Sequence, residues 1–150
     1  MTTTQLRYTF RPISPEQADE LRTDTAMMYV ADESPGYPCR QCLRDAAIGD
    51  ELLLVSFDPF HRDSPYRSAS PIFIHRHACG PCDEPGVPEQ LTRRQLSVRA
   101  FDADALMIDA AIIAGTDLDA TVQRFFAESA AEFIHVHNAT RGCWAVAVVR

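Results

Sequence analysis

Two pairs of cysteines, each separated by two residues, are the side chains of this sequence best suited to chemistry. They are Cys39 with Cys42 and Cys79 with Cys82, and His75 lies shortly before the second pair. A tight Cys-x-x-Cys turn directs both sulfurs at one ion, and two such turns supply the four ligands of a tetrahedral zinc site. We therefore predict a structural zinc ion at the four cysteines, with His75 as the residue that can replace Cys82.

The segment between the two pairs is longer than in an ordinary zinc ribbon. It comprises residues 43–78, whereas a ribbon has roughly 15 to 20 residues between its pairs. A strand, a loop and a return strand are predicted to fill it, so that the pairs meet at one end of a hairpin. The alternative is that some of these cysteines are small buried apolar residues of the core.

The second pair also has the sequence of a redox-active dithiol, Cys-Gly-Pro-Cys at residues 79–82. That chemistry requires a stabilised thiolate, usually at the N-terminus of a helix. Here Asp83 and Glu84 follow directly, and two carboxylates beside a thiol disfavour its ionisation. We therefore favour a metal site over a redox site.

Four histidines and a fifth cysteine form a second candidate site. His75 and His77 are two residues apart on one predicted strand, as are His135 and His137 on another, so the rings of each pair should share a face. On neighbouring strands they would converge around a catalytic metal with open positions. Cys143 can pair with His135 as a thiolate–imidazole nucleophile. The alternative function is thus a metal-dependent or thiol enzyme using His75, His77, His135 and Cys143, against the simpler expectation of structural, half-buried residues.

The elements that must position these residues predict a single α+β domain over residues 1–150, with residues 1–4 as a flexible tail. Alternating or continuous apolar runs predict strands at residues 5–10, 51–57, 71–77, 95–101, 106–114, 132–137 and 143–149. Helices are predicted at 14–22, 88–94 and 117–129, the first because Ser14 and Gln17 can form a capping box. We expect one mixed or mostly antiparallel sheet of about six to seven strands with two to three helices.

Composition limits the partners that this chain is expected to have. The net charge is −7 and no basic run is present, so nucleic acid is not an expected partner. No apolar run approaches the roughly 20 residues that span a bilayer, which predicts no membrane association. The first residues do not resemble a secretory signal, so we expect a cytoplasmic protein whose thiols stay reduced and free to bind metal. Homodimer formation is left open.

A third interpretation is a protein-interaction module. The segment 58–70 is rich in Pro, Ser, Asp and Arg and is predicted to be a loop. Phe57, Phe60 and Tyr66 would serve as its aromatic anchors. This interpretation requires an exposed apolar or Arg-lined patch.

Three motifs together resemble a small bacterial family known as domain of unknown function 1203. They are residues 37–43 with the first cysteine pair, residues 70–75 ending at His75, and residues 135–143 ending at Cys143. The resemblance covers residues 36–150. It implies a shared fold, and it implies no activity, substrate or cofactor because none is established for that family.

Overall fold

Two antiparallel sheets form the framework of the protein in a computed structural model that describes residues 6–150. In chain order the elements are β1 (Thr9–Arg11), α1 (Pro15–Leu21), β2 (Met27–Val30), β3 (Glu51–Phe57), β4 (Ser70–His75), α2 (Glu89–Thr92), β5 (Gln95–Phe101), β6 (Met107–Ala114), α3 (Leu118–Glu128), β7 (Phe133–Asn138) and β8 (Trp144–Val149). The predicted tail at residues 1–4 lies outside the described residues. The prediction of a small α+β domain is confirmed.

The arrangement of the strands differs from the prediction. One sheet has five strands in the order β1-β8-β7-β5-β6, and the other has three in the order β2-β3-β4. The prediction of one sheet with six to seven strands is therefore wrong. The unpredicted strand is β2, an edge strand whose four residues are all exposed, so its sequence shows no alternation between buried and exposed positions.

The main core lies between α3 and one face of the five-stranded sheet. Leu118, Val122 and Phe125 recur at helical spacing along α3 and are buried against Val98 of β5 and Ile134 of β7. Burying a large apolar side chain stabilises the fold by roughly 1.5–3 kcal/mol. The predicted helix at residues 117–129 is confirmed as α3.

The opposite face of the five-stranded sheet packs on the three-stranded sheet. Trp144 of β8 is buried there, with its ring centroid 5.2 Å from that of Phe57 on β3. Ile72 and Ile74 of β4 belong to the same cluster. Because β4 and β7 lie in different sheets, the two predicted histidine pairs are not on neighbouring strands.

Two local features fix the ends of elements. Ser14 forms the predicted capping box, since its Oγ accepts the Gln17 N–H and the Gln17 Oε1 accepts the Ser14 N–H, both at 3.1 Å. Gly115 follows β6 and donates its N–H to Arg94 O at 2.7 Å. A Cβ at Gly115 would overlap the carbonyl oxygen of Leu91, so this contact between α2 and the start of α3 requires glycine.

Over residues 6–150, no helix has the length and apolar character needed to cross a membrane.

Candidate metal centre

A tight turn presents the first cysteine pair. The Cys39 N–H donates to Arg44 O at 3.0 Å, and the Leu43 N–H donates to Cys39 O at 3.1 Å, which closes the chain around Cys42. Leu43 adopts φ 57°, a left-handed conformation that a non-glycine residue takes only where its surroundings hold it. Cys39 and Cys42 are both fully buried. The turn therefore directs two sulfurs into the protein rather than towards solvent.

Strand β4 brings the histidine to this turn. The Arg40 N–H donates to Phe73 O at 2.9 Å, and Cys39 pairs with Phe73 in a short parallel bridge. His75 is the last residue of β4, two positions further along the same face. The strand thus ends with an imidazole beside the cysteine turn.

The loop after β4 adds a third sulfur. Arg44 holds this loop against the cysteine turn, because its Nη1 donates to Asp83 Oδ1 at 2.9 Å and its Nη2 to Cys79 O at 3.5 Å. Gly80 takes φ 75°, a conformation that glycine adopts at no steric cost. Cys79 thus lies in this loop with its sulfur beside that of the buried Cys39.

The ligand atoms of Cys39, Cys42, His75 and Cys79 all lie within 4.8 Å of one another. The sulfurs of Cys39 and Cys79 are 3.7 Å apart, and the sulfur of Cys42 is 3.7 Å from Nδ1 of His75. A tetrahedral zinc ion with ordinary bond lengths would separate two sulfurs by about 3.8 Å and a sulfur from a nitrogen by about 3.6 Å. All the cysteines are free thiols, and the sulfur spacing is far longer than a disulfide bond. The spacing is that of a metal site.

Asp50 orients the imidazole. Its Oδ2 lies 3.1 Å from Nε2 of His75 and also accepts the Ala47 N–H at 3.0 Å. Since an ionised carboxylate only accepts hydrogen bonds, a metal-bound imidazole would keep its proton on Nε2 and direct the Nδ1 lone pair at the ion. A carboxylate behind a histidine ligand is a recurring feature of zinc sites.

The electrostatics of the cluster favour positive charge at its centre. Hydrogen bonds from Cys42 and then Cys79 hold the pKa of Cys39 far below its usual value. The same contacts raise the pKa of Cys79, because the hydrogen bond to Cys39 and the nearby sulfur charge favour its protonated form. Hydrogen bonds to Cys39 and Cys42 raise the pKa of His75 to about 10. A dication among the sulfurs would supply the charge that these protons carry in its absence.

Cys82 and His77 lie outside this group. In the part of the chain that the structure describes, the cluster contains Cys39, Cys42, His75 and Cys79 only. Cys82 is half-buried and packs against the main core. His77 lies beyond the end of β4, and its ring is exposed with Nε2 3.6 Å from Glu51. The expectation that His75 and His77 share a face is wrong because the strand ends at His75.

The histidines and cysteine of the alternative enzyme site are dispersed. His135 is buried among Phe60, Phe101 and Trp144 and lies opposite Ala147 on β8, four residues beyond Cys143. Burial lowers the pKa of His135 to about 3. Burial likewise lowers the pKa of His137, whose Nδ1 lies 2.8 Å from Gly142 O, to about 4. Both rings are buried and neutral at pH 7, in accord with the simpler expectation of structural residues, and the convergence with His75 that the alternative enzyme site requires is not observed.

Two of the three predicted aromatic anchors of an interaction surface are buried. Phe57 packs on Trp144 between the sheets, and Phe60 packs on Phe101. Both are buried, whereas Tyr66 is exposed. The loop at residues 58–70 therefore presents one of the three aromatic rings.

Sequence reasoning missed Asp50 and Arg40. Asp50 reads as part of a turn with Gly49, and only the pairing of β3 with β4 brings it to His75. Arg40 is only 2% exposed, although an arginine between two cysteines carries no local signal of burial. Its Nη1 donates to Gln90 Oε1 at 2.6 Å, and burial lowers its pKa to about 10, which leaves it charged at neutral pH.

A comparison with known families matches residues 36–150 to the family described as Protein of unknown function (DUF1203). The chain belongs to this family. The matched segment contains all four residues of the cluster and the three motifs on which the resemblance rests. No curated protein and no solved structure matches the chain.

Proposed function

We propose that this DUF1203 protein holds one structural zinc ion between Cys39, Cys42, His75 and Cys79. The observation that carries the proposal is the mutual spacing of the four ligand atoms, within 4.8 Å overall and 3.7 Å for the Cys39–Cys79 and Cys42–His75 pairs. That spacing fits four bonds to a single tetrahedral ion.

The donor set favours zinc over other common metals. Three thiolates and one imidazole are soft or intermediate donors, and tetrahedral sulfur-rich sites suit zinc, whereas magnesium and calcium prefer oxygen. Four protein ligands complete the tetrahedron and leave no position for a substrate or an activated water. The ion is therefore structural, and the reaction of a metal-dependent enzyme is not assigned to it.

The ion would join three segments that are distant in sequence. The cysteine turn precedes β3, His75 ends β4, and Cys79 lies in the following loop. Since such a site does not exist in the unfolded chain, the free energy of metal binding adds to the stability of the fold. The zinc site thereby holds the end of the three-stranded sheet to the cysteine turn.

Metal content measured on a matched pair of variants tests the proposal. Purified without added metal, the wild-type protein should contain about one zinc ion per chain by elemental analysis. Cys79→Ser should lose most of this zinc, whereas Cys82→Ser should retain it, although both remove a cysteine from the same Cys-Gly-Pro-Cys segment. Substitution with cobalt(II) should give the visible spectrum of a tetrahedral thiolate site.

Two results would contradict the proposal. One is wild-type protein that is fully folded and free of metal. The other is Cys82→Ser losing zinc as completely as Cys79→Ser, which would assign the fourth position to Cys82 instead of His75. The His75→Ala variant shows which residue is the fourth ligand, since it should lose zinc only if the imidazole is a ligand.

The setting and partners of the protein remain predictions. A cytoplasmic location would keep the thiols reduced and thus suits a thiolate metal site. Sequence alone supports the absence of nucleic-acid and membrane partners and the bacterial origin. It also allows a homodimer.

A further inference from the structure

Arg40 is a buried cation without a carboxylate partner. It is 2% exposed, and its one hydrogen bond to another side chain in the described part of the chain goes to the neutral amide of Gln90. No ion pair within residues 6–150 includes it, although ten ion-pair contacts of other residues are present there. Burying an unpaired charge is costly, so an anion is expected where Arg40 ends.

The nearby carboxylate is already in use. Asp45 contributes to the electrostatic surroundings of Arg40 and is almost fully buried. It forms a two-bond pair with Arg94, at 2.6 and 3.1 Å, and a further contact with Arg93 at 3.1 Å. Two guanidinium groups thus bind this carboxylate, and the positive charge of Arg40 is left without a direct partner.

Arg40 lines a cavity of about 690 Å³ in which other cationic and aromatic groups converge. Arg94 and the exposed Arg141 line the same cavity. Tyr37 and Phe73 contribute an aromatic wall, with ring centroids 5.3 Å apart. This volume is typical of cavities that bind small molecules, which are mostly apolar with a few directed polar groups.

Two further polar groups line the cavity. Glu33 is the one carboxylate among the lining residues, and it is exposed and forms no ion pair within residues 6–150. Asn138 lines the cavity as well, and its Oδ1 is buried without a hydrogen-bond partner. An oxyanion accepts hydrogen bonds, so the Asn138 amide would donate to it only when rotated to place its NH₂ group where Oδ1 lies, and the orientation of an amide follows its partners.

We propose that this cavity binds a small organic oxyanion, a carboxylate or phosphate group carried on a flat apolar body, with Arg40 as its buried counter-charge. A planar guanidinium suits two-bond recognition of either group. Arg141 would contribute at the rim, and the aromatic wall would pack on the apolar body. The proposal is independent of the zinc ion, because it concerns a cavity that the four ligand atoms do not line.

Titration calorimetry on the intact chain tests this binding with three probes of similar shape. Benzoate and phenyl phosphate carry the two forms of oxyanion, and benzamide is the neutral control. We expect millimolar or tighter binding of at least one anion and none of benzamide. The tighter of the two anions identifies the group that the cavity prefers, and a preference for either supports the proposal.

Variants then locate the site. Arg40→Gln should weaken anion binding about 30-fold or more, because it removes the buried charge. Arg141→Gln, at the exposed rim, should weaken binding only a few-fold. Arg62→Gln is the matched control, because Arg62 lines a different cavity. This variant should bind the anion as the wild type does. A cooperative thermal unfolding transition measured on each variant verifies that it is folded.

Labelling of Cys143 provides a readout that does not depend on the folding of any variant. Cys143 lines the same cavity and is partly exposed. Bound anion should slow its alkylation by iodoacetamide in the wild-type protein, as followed by peptide mass spectrometry. The proposal is overturned if neither anion binds, if benzamide binds equally well, if folded Arg40→Gln binds like the wild type, or if Cys143 is not protected.

Discussion

Replacing His135 by phenylalanine is expected to make the fold less sensitive to acid. The ring is 2% exposed and lies among Phe60, Phe101 and Phe133, and its Nδ1 is buried without a hydrogen-bond partner. Burial, with smaller contributions from His137 and His61, lowers its pKa from 6.5 to about 3. Near pH 5 the folded protein therefore keeps this ring neutral, whereas the unfolded chain protonates it.

The magnitude follows from the difference in proton binding. As the pH falls from about 7 to about 5, the unfolded state takes up most of one proton at His135 while the folded state takes up almost none. Stability that is present above pH 6.5 is thus lost as the pH falls, and this one residue accounts for roughly 2 kcal/mol over that interval. His137, with a pKa of about 4, contributes a similar loss that His135→Phe leaves in place.

Urea unfolding at both pH values measures this effect. The free energy of unfolding should fall by roughly 2 kcal/mol less in His135→Phe than in the wild type between about pH 7 and pH 5. Proton-driven loss of metal affects both proteins alike and cancels in the comparison. Phe133→Leu is the matched control, since it alters the same aromatic cluster without removing a titratable group and should destabilise the fold equally at both pH values.

The reasoning is refuted if His135→Phe and the wild type lose the same free energy of unfolding between the two pH values. That result would mean that His135 binds a proton in the folded state as readily as in the unfolded chain. The ring would then have to be hydrated or paired, which contradicts its burial among three phenylalanines.

Three further perturbations test the metal centre and its framework. Asp50→Asn should weaken zinc binding about 10- to 100-fold, because the amide no longer favours the proton on Nε2 of His75. Competition with a chromophoric chelator measures this affinity. Asp63→Asn on the surface should have no effect. Removing the metal with excess chelator should lower the melting temperature by about 10 °C or more by scanning calorimetry, and an unchanged value would contradict a structural role. Gly115→Ala should lower the free energy of unfolding in urea by about 3 kcal/mol or more, because the alanine Cβ overlaps Leu91 O. A decrease below about 1 kcal/mol would show that the backbone relaxes.

Local sequence patterns predicted much of the secondary structure. The capping box of Ser14 and Gln17, the helix α3 and the strands β7 and β8 all match their predictions. Each depends on residues within a few positions of one another, where helical and strand periodicity are direct consequences of backbone geometry. Strand β2 lacks such a pattern because all of it is exposed at a sheet edge.

The candidate site was predictable only in part, because its residues come from segments that are distant in the sequence. The spacing of Cys39 and Cys42, and of Cys79 from His75, marked the region from sequence alone and indicated that it could bind a metal. The choice of His75 over Cys82 in the observed cluster depends on where β4 ends and on how the next loop turns.

The sequence by itself thus determined the kinds of candidate ligand, most of the secondary structure that carries them and the family of the chain. The tertiary structure decided which ligands meet, that Asp50 supports His75, that the histidines of β4 and β7 lie apart, and that Arg40 is buried beside a cavity. The physical reason is that spacing along the chain controls local conformation, whereas contacts between distant residues arise from the packing of two sheets, which no short sequence pattern encodes.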